Sequence, residues 1–337
     1  MYSHSLPAFP HSWYCAGLST ELPTGGVLSR RLAGEDLVLF RSEAGVVSAL
    51  DAYCPHLGAH LGHGGRVEGD CIRCPFHGFH FDGSGVCVRN EYGTKAPPKA
   101  RIRSWPVMER MGLLFVYHGT PGETPTWEVA DESIAAWTPW RMHSWRMRGH
   151  VQEIAENGVD TGHFVHIHKY QQVRTISPMT SEGTYLTATY GITRPGIQGL
   201  TKPLEARFQI HQYGLGCARV EVSVWEESLR TRQLVLATPI DDGELELRIG
   251  MSVKVPDTLS QIHPLMVVFP RRFQAELIAS SAFREYVGDV SQDIPIWSNK
   301  RYMPIPALAE GDGPVGSYRR WARQFYPRTP AEIAPTA

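Results

Sequence analysis

Cys54-Pro55-His56 and Cys74-Pro75-Phe76-His77 decide the reading of this chain. A Cys-x-His pair is followed, seventeen residues later, by a Cys-x-x-His pair. Two thiolates and two imidazoles, one of each per loop, suit a Rieske [2Fe–2S] cluster, whose cysteines hold one iron and whose histidines hold the other. Neutral imidazole in place of thiolate removes negative charge, which raises the potential and suits the centre to relaying single electrons. A Cys2His2 zinc site draws on the same donors, but zinc fingers usually pair Cys with Cys and His with His along the chain. Here each loop is mixed, and a Rieske cluster is the reading adopted, with zinc the alternative.

The chain around these loops has 337 residues, 42% hydrophobic and 20% charged, enough for two domains with full cores. A net charge of −1 favours neither nucleic acid nor an anionic membrane. Met1 to Pro10 has no basic-plus-apolar signal region, and no apolar run reaches the roughly 18 residues of a span. The expectation is a cytoplasmic protein without a membrane anchor. Cys15, Cys71, Cys87 and Cys217 are scattered and suggest no disulfide framework. Cys71 forms a Cys-x-x-Cys with Cys74, but only Cys74 has a histidine three residues on, so Cys71 reads as a small buried residue.

From Ser12 to His118 the chain reads as short strands and glycine turns. Val27–Arg31, Glu35–Arg41 and Val46–Asp51 are followed by Cys71–Cys74, Phe79–Phe81 and Val86–Arg89, then by a closing hairpin of Arg101–Val107 with Leu113–His118. Pro55, Gly58, Gly62, Gly64, Gly65, Pro75 and Gly78 bend the two loops so that backbone N–H groups can turn toward cluster sulfurs. His60, His63 and His80 lie nearby and read as packing or loop hydrogen bonding. Residues 10–120 form the first domain in this reading and 121–337 the second. Residues 121–148, with Pro121, Pro125, Pro139 and four tryptophans, read as an ordered connection.

A second donor group follows in Asn157-Gly158-Val159-Asp160-Thr161-Gly162-His163-Phe164-Val165-His166-Ile167-His168. Asp160 and His163, at i,i+3, would share a helix face. His163 and His168 are roughly 140° apart on an ideal helix, so the helix must end or distort between them if both are to reach one ion. His166 is a competitor at i,i+3 from His163. An electron relay needs a destination, and two His with one carboxylate on non-heme iron would supply it. The carboxylate could be Asp160 by proximity. A better candidate is Asp293, at the end of a long helix read from Pro270 to Gln292, with Asp289 one turn earlier as its rival. Between the two groups, Thr184–Thr193, Leu204–Tyr213, Ala218–Glu226, Arg232–Pro239 and Glu244–Val253 alternate as strands do. The fold class is α+β: a small antiparallel β domain, then a five- or six-stranded antiparallel sheet about a long C-terminal helix with an interior cavity.

Together the cluster loops, Asn157-x-x-Asp160-x-x-His163-x4-His168 and Gln292-Asp293-x-x-Ile296-Trp297 resemble the Rieske non-heme iron oxygenases, α-subunit type. Asp51–His56, Gly64–Val67, Glu310–Pro314, Arg319–Trp321 and Gln324–Tyr326 look most like the 3-ketosteroid 9α-hydroxylase oxygenase and cholesterol 7-desaturase branch. The resemblance implies a helix-grip catalytic domain, with Cys54 and Cys74 on one iron of the cluster and His56 and His77 on the other. It further implies His163, His168 and Asp293 on mononuclear Fe(II). Asp160 would then be a bridge, hydrogen-bonding His163 and a cluster histidine of the next subunit in a head-to-tail trimer. Asn157 would stand beside His163 as a further supporting residue. O2 is the implied co-substrate, and electrons come from NAD(P)H through a separate flavin/iron–sulfur reductase or ferredoxin. No GxGxxG opens a βαβ unit here, so the chain should not bind the nucleotide itself.

The leading reading is hydroxylation or desaturation of a C–H bond in a bulky alicyclic, steroid-like or secondary-metabolite substrate. Its cavity wall is assigned, by position, to Gly191–Leu200 and Ile262–Pro270. An oxygenase acting on an aromatic substrate is one alternative. A Rieske electron carrier without oxygenase chemistry is another, and it would need no second iron.

Overall fold

A computed structural model describes residues 6–194, 204–224, 229–255 and 270–327. The chain forms two compact units, one of His11–Glu132 with Pro239–Asp242, the other of Met1–Pro10, Ser133–Thr238 and Gly243–Ala337.

The first unit holds three small antiparallel sheets. Strands β1 (Ser12–Leu18), β10 (Val107–Arg110) and β11 (Leu113–His118) form one in the order β1-β11-β10. A second, in the order β2-β3-β4-β9, uses β2 (Val27–Leu32), β3 (Glu35–Arg41), β4 (Val47–Asp51) and β9 (Ser104–Trp105). The third is β5 (Arg66–Glu68), β6 (Cys71–Arg73), β7 (His80–Phe81) and β8 (Cys87–Arg89), paired in that order. Ala33-Gly34 and Met111-Gly112 both take positive φ at two successive residues, the backbone of a tight hairpin turn. Leu37 to Phe40 of β3 are fully buried, a continuous apolar run in a central position.

Two expectations for this unit are corrected. The arm paired with β11 across the Met111-Gly112 turn is β10, not Arg101–Val107. Pro106 has no N–H to give a ladder and splits that stretch, so Ser104–Trp105 joins β4 instead. Cys71 is half-buried rather than buried.

Among the described residues the second unit carries a seven-stranded antiparallel sheet, not one of five or six. Its strands are β12 (Arg141–Arg148), β13 (Gln171–Glu182), β14 (Tyr185–Arg194), β15 (Leu204–Tyr213), β16 (Cys217–Val224), β17 (Leu229–Asp241) and β18 (Glu244–Val253). The order is β12-β18-β17-β16-β15-β14-β13. The two additional strands are the edges. Arg141–Arg148, read as connection, is paired with β18. The other, β13, is exposed along most of its length, contains Pro178 and is interrupted by register shifts. Edge strands tolerate such features because one flank has no ladder to complete.

Among the described residues the unit also has four α-helices: α1 (Val151–Glu156), α2 (Thr161–His166), α3 (Arg271–Asn299) and α4 (Val315–Ala322). The 29 residues of α3 lie against β12 and β18. It does not stop at Gln292 as expected. It runs on through Pro295, whose missing N–H removes only the bond that Ser291 C=O would have accepted. Asp293 is therefore inside the helix and buried. Among the described residues no helix is long and apolar enough to cross a membrane.

Candidate metal centres and cavity

The two cysteine loops of the first unit are built alike. Cys54 C=O accepts from Gly58 N–H at 2.9 Å, and Cys74 C=O accepts from Gly78 N–H at 3.2 Å. Both glycines have positive φ, 76° and 63°, which lets each Cys-Pro-x-x-Gly segment close in five residues. Cys54 N–H donates to Ala59 C=O and Cys74 N–H to Phe79 C=O, so each thiol is fixed on a bonded backbone. His56 and His77, one from each loop, have ring centroids 4.6 Å apart, and His56 stacks on Phe79.

The donors fit a cluster. Both thiols are buried, and burial together with the neighbouring Cys74 pushes the Cys54 thiol up to about 12, which is costly for a thiolate until a cation joins it. His56 Nδ1 is buried with no hydrogen-bond partner among the described residues. An unmet buried nitrogen beside two buried thiols is what a metal would satisfy.

His60 accepts at Nδ1 from Gly62 N–H, and His80, fully buried, lies 2.9 Å from Glu68. Both perform loop hydrogen bonding, as read from sequence. Glu68, His80 and Glu91 do gather as a possible donor group, but Arg73 and Arg89 already pair with its carboxylates.

In the second unit, one donor atom each from His163, His168 and Asp293 falls within 4.8 Å of the others. The local sequence explains how. α1 ends at Glu156, and Asp160 then caps α2, its Oδ1 accepting from His163 N–H at 3.2 Å. Asp160 thus precedes the helix and does not share a face of it with His163. α2 closes at His166, so His168 lies beyond the helix and faces His163 across 5.1 Å between rings. His166 is exposed and stands apart.

The tautomer of His163 follows from its partners. Asp160 C=O lies 2.5 Å from Nδ1 and can only accept, so Nδ1 carries the proton and Nε2 keeps its lone pair. The amide of Asn157 sits 3.0 Å from that Nε2. Burial holds the His163 pKa below its ordinary value, with Asp293 acting in the opposite sense. A neutral imidazole, a buried carboxylate and His168, whose Nδ1 is buried without a partner among the described residues, fit a divalent metal. Asp289 is occupied elsewhere: it accepts from Tyr170 Oη at 3.0 Å and from Arg194 at 2.9 Å.

These three residues border a cavity of about 250 Å³ between α3 and the inner face of β15, β16 and β17. Strand alternation supplies its wall: Ala206, Phe208 and Ile210 from β15, Val220 and Val222 from β16, Thr231 and Gln233 from β17. Of the expected walls, Ile192 and Arg194 do contribute, while residues 195–200 and 262–269 lie outside the described residues. Tyr170, Phe208 and the β17 pair were not singled out from sequence. The alternating strands were the signal that could have found the last two, because every second residue of a half-buried strand shares a face.

Residues 12–106 match the Rieske [2Fe–2S] domain, and residues 116–326 match the 3-ketosteroid 9α-hydroxylase C-terminal domain. This chain is a Rieske oxygenase of the 3-ketosteroid 9α-hydroxylase family. The Rieske oxygenase is 32% identical over 332 residues to a probable 3-ketosteroid-9-alpha-monooxygenase, oxygenase component, of Rhodococcus rhodochrous, covering 94% of this chain and 80% of that one. It is 31% identical over 334 residues to cholesterol 7-desaturase nvd 1 of Ciona intestinalis, covering 95% of this chain and 69% of that protein. Its fold is also that of dicamba monooxygenase with non-heme iron and dicamba, with a TM-score of 0.65 at 23% identity over 95% of this chain and 98% of that one. Members of this family work with a Rieske [2Fe–2S] cluster and a mononuclear iron.

Proposed function

We propose that this Rieske oxygenase hydroxylates or desaturates an unactivated C–H bond of a steroid-like substrate seated in the cavity. The observation that carries the reading is the convergence of His163, His168 and Asp293 on the edge of an apolar cavity. Its relatives, named steroid 9α-monooxygenase and cholesterol 7-desaturase, support the substrate class. Cys54 and Cys74 would hold one iron of the cluster, His56 and His77 the other. His163, His168 and Asp293 would hold the mononuclear iron. When bound, the cluster relays single electrons and the iron carries the O2 chemistry.

The chain's own residues position and shield. Asp160 C=O holds the His163 ring in the tautomer that leaves Nε2 unprotonated, and the Asn157 amide stands against that nitrogen. Aliphatic and aromatic side chains of β15 to β17 exclude water and orient an apolar skeleton. In the proposed assembly, three subunits meet head to tail and the half-buried Asp160 side chain links His163 to a cluster histidine of the next subunit. Exposed Leu57 and Phe76, beside His56 and His77, suit the cluster loops to a protein partner. A separate NAD(P)H-linked reductase would supply electrons, as the relatives' designation as oxygenase components supports. Six free cysteines and the lack of a spanning helix among the described residues support a cytoplasmic setting.

The test is iron and acid-labile sulfide per chain on anaerobically purified protein, followed by steroid turnover with a reductase and NADH. Roughly three irons and two sulfides per chain is the expected result. Two irons with two sulfides, unchanged after adding Fe(II), would make the chain an electron carrier.

A further inference from the structure

The cavity wall formed by β16 and β17 is aliphatic except at two neighbouring positions of β17. Thr231 and Gln233 stand at i,i+2, project from one face and line the cavity. Thr231 is level with Val222, which is level with Phe208; Gln233 is level with Val220, which is level with Ile210. A hydroxyl and an amide thus end two otherwise apolar rows.

The hydroxyl is unmet. Thr231 is 7% exposed, and its Oγ1 is buried with no hydrogen-bond partner among the described residues. Other polar side chains of the wall are engaged within the protein. Tyr170 and Arg194 donate to Asp289, Tyr286 Oη donates to Leu234 C=O, and Gln212 donates to Gly214 C=O. Valine would occupy the same volume on this strand without an orphaned hydroxyl, which costs stability when buried. A ligand oxygen is the partner that a cavity can bring.

The position of the pair sets the length of that ligand. Leu229 packs against the cluster of Val253 with Ala275 and Ala279 of α3, and Leu234 C=O takes the hydrogen bond of Tyr286. Thr231 and Gln233 therefore lie abreast of α3 between Ala279 and Tyr286. Asp293 is about two to four turns farther along, or roughly 10–20 Å at 1.5 Å per residue.

We propose that Thr231 Oγ1 and the Gln233 amide bind one oxygen substituent of the substrate, a ketone or a hydroxyl, at the end remote from His163, His168 and Asp293. This rests on the cavity being the substrate site. The ligand class is a long, rigid, apolar skeleton with a hydrogen-bonding oxygen at its far end. The pair acts by setting which carbon is presented, and the reacting atoms are not touched by it.

Binding of 5α-androstane and of its 3-oxo and 17-oxo derivatives to the metal-loaded protein tests this, followed by tryptophan fluorescence, since Trp297 lines the cavity. At least one ketone should bind about tenfold tighter than the hydrocarbon. Thr231→Val should abolish the preference and keep hydrocarbon binding, and Thr231→Ser should retain the preference. If Thr231→Val loses the hydrocarbon too, Gln233→Leu provides the same comparison. A ketone preference absent from the wild type, or unchanged in the variants, overturns the oxygen anchor and leaves the steroid reading standing. Failure of every androstane to bind the wild type overturns the steroid reading and the anchor with it.

Discussion

Asp293 Oδ2 lies 3.5 Å from His168 Nε2, joining the final turns of α3 to the chain that leaves α2. Both side chains are nearly buried, 6% and 8% exposed. One turn earlier, Asp289 faces Arg194 and Tyr170 instead. The two carboxylates therefore divide the work by partner, one with imidazoles and one with a guanidinium and a phenol.

Asp293→Ala should lose the mononuclear iron and keep the cluster. Iron analysis should fall by about one atom per chain with the visible spectrum of the cluster intact. Asp289→Ala should retain full iron content. The reverse pattern would exchange the roles of the two residues.

Asp160→Asn separates the cap from the charge. Asparagine caps a helix as well as aspartate does, so α2 and both metal contents should persist. Turnover should stop, with the reduced cluster no longer reoxidised by O2 in the presence of substrate. Asp160→Ala should in addition lower stability by about 1 kcal/mol. Full activity in Asp160→Asn would remove the bridge.

Arg319 of α4 clamps Glu156 of α1 with bonds of 2.6 and 2.9 Å, and neither side chain is more than 14% exposed. Arg319→Met leaves a buried carboxylate without its bidentate partner. A loss of about 3 kcal/mol should follow, or roughly 6–12 °C in melting temperature. Arg319→Lys should recover only part of it, because an ammonium cannot make the paired contact.

On the outer face of the sheet, burial alone would raise the Glu221 carboxyl, yet Arg230, Arg219 and Arg232 together hold it below its ordinary range. A carboxylate with a depressed folded pKa adds stability above its unfolded value, near 4.3, and loses it as pH falls through the folded one. Glu221→Gln should cost about 2 kcal/mol at pH 7. The gap in melting temperature between wild type and variant should close as the pH is lowered below about 4.

Much of this architecture could be read from residue pattern alone. The mixed Cys and His loops carry their chemistry in four residue types at short spacing. β14 to β18 announce themselves by alternation, because each has one face in the cavity or core. The edges were silent for physical reasons. Gln171–Glu182 has few apolar residues to alternate, since most of its side chains meet solvent. Arg141–Arg148 sits in a proline- and tryptophan-rich stretch that resembles a connection. The long helix read to Gln292 was cut short, whereas α3 runs on through Pro295 to Asn299. His163 and His168 needed a break between them, which the end of α2 at His166 supplies, and the sequence did not show that Asp160 would stand before α2 as its cap. Thr231 and Gln233 went unnoticed because an orphaned hydroxyl shows only when its surroundings are packed.

The alternation along β15, β16 and β17 separates two kinds of inheritance. The ladder of backbone bonds that holds the sheet does not depend on which side chain faces the cavity, and the arginines around Glu221 belong to the opposite face. Inward positions such as Ala206, Val222 and Thr231 can therefore change one at a time, re-shaping what the cavity admits while the strands, the helix above them and the three converging donors stay where they are. A lineage built on this frame can acquire new substrates by exchanging every second residue of three strands.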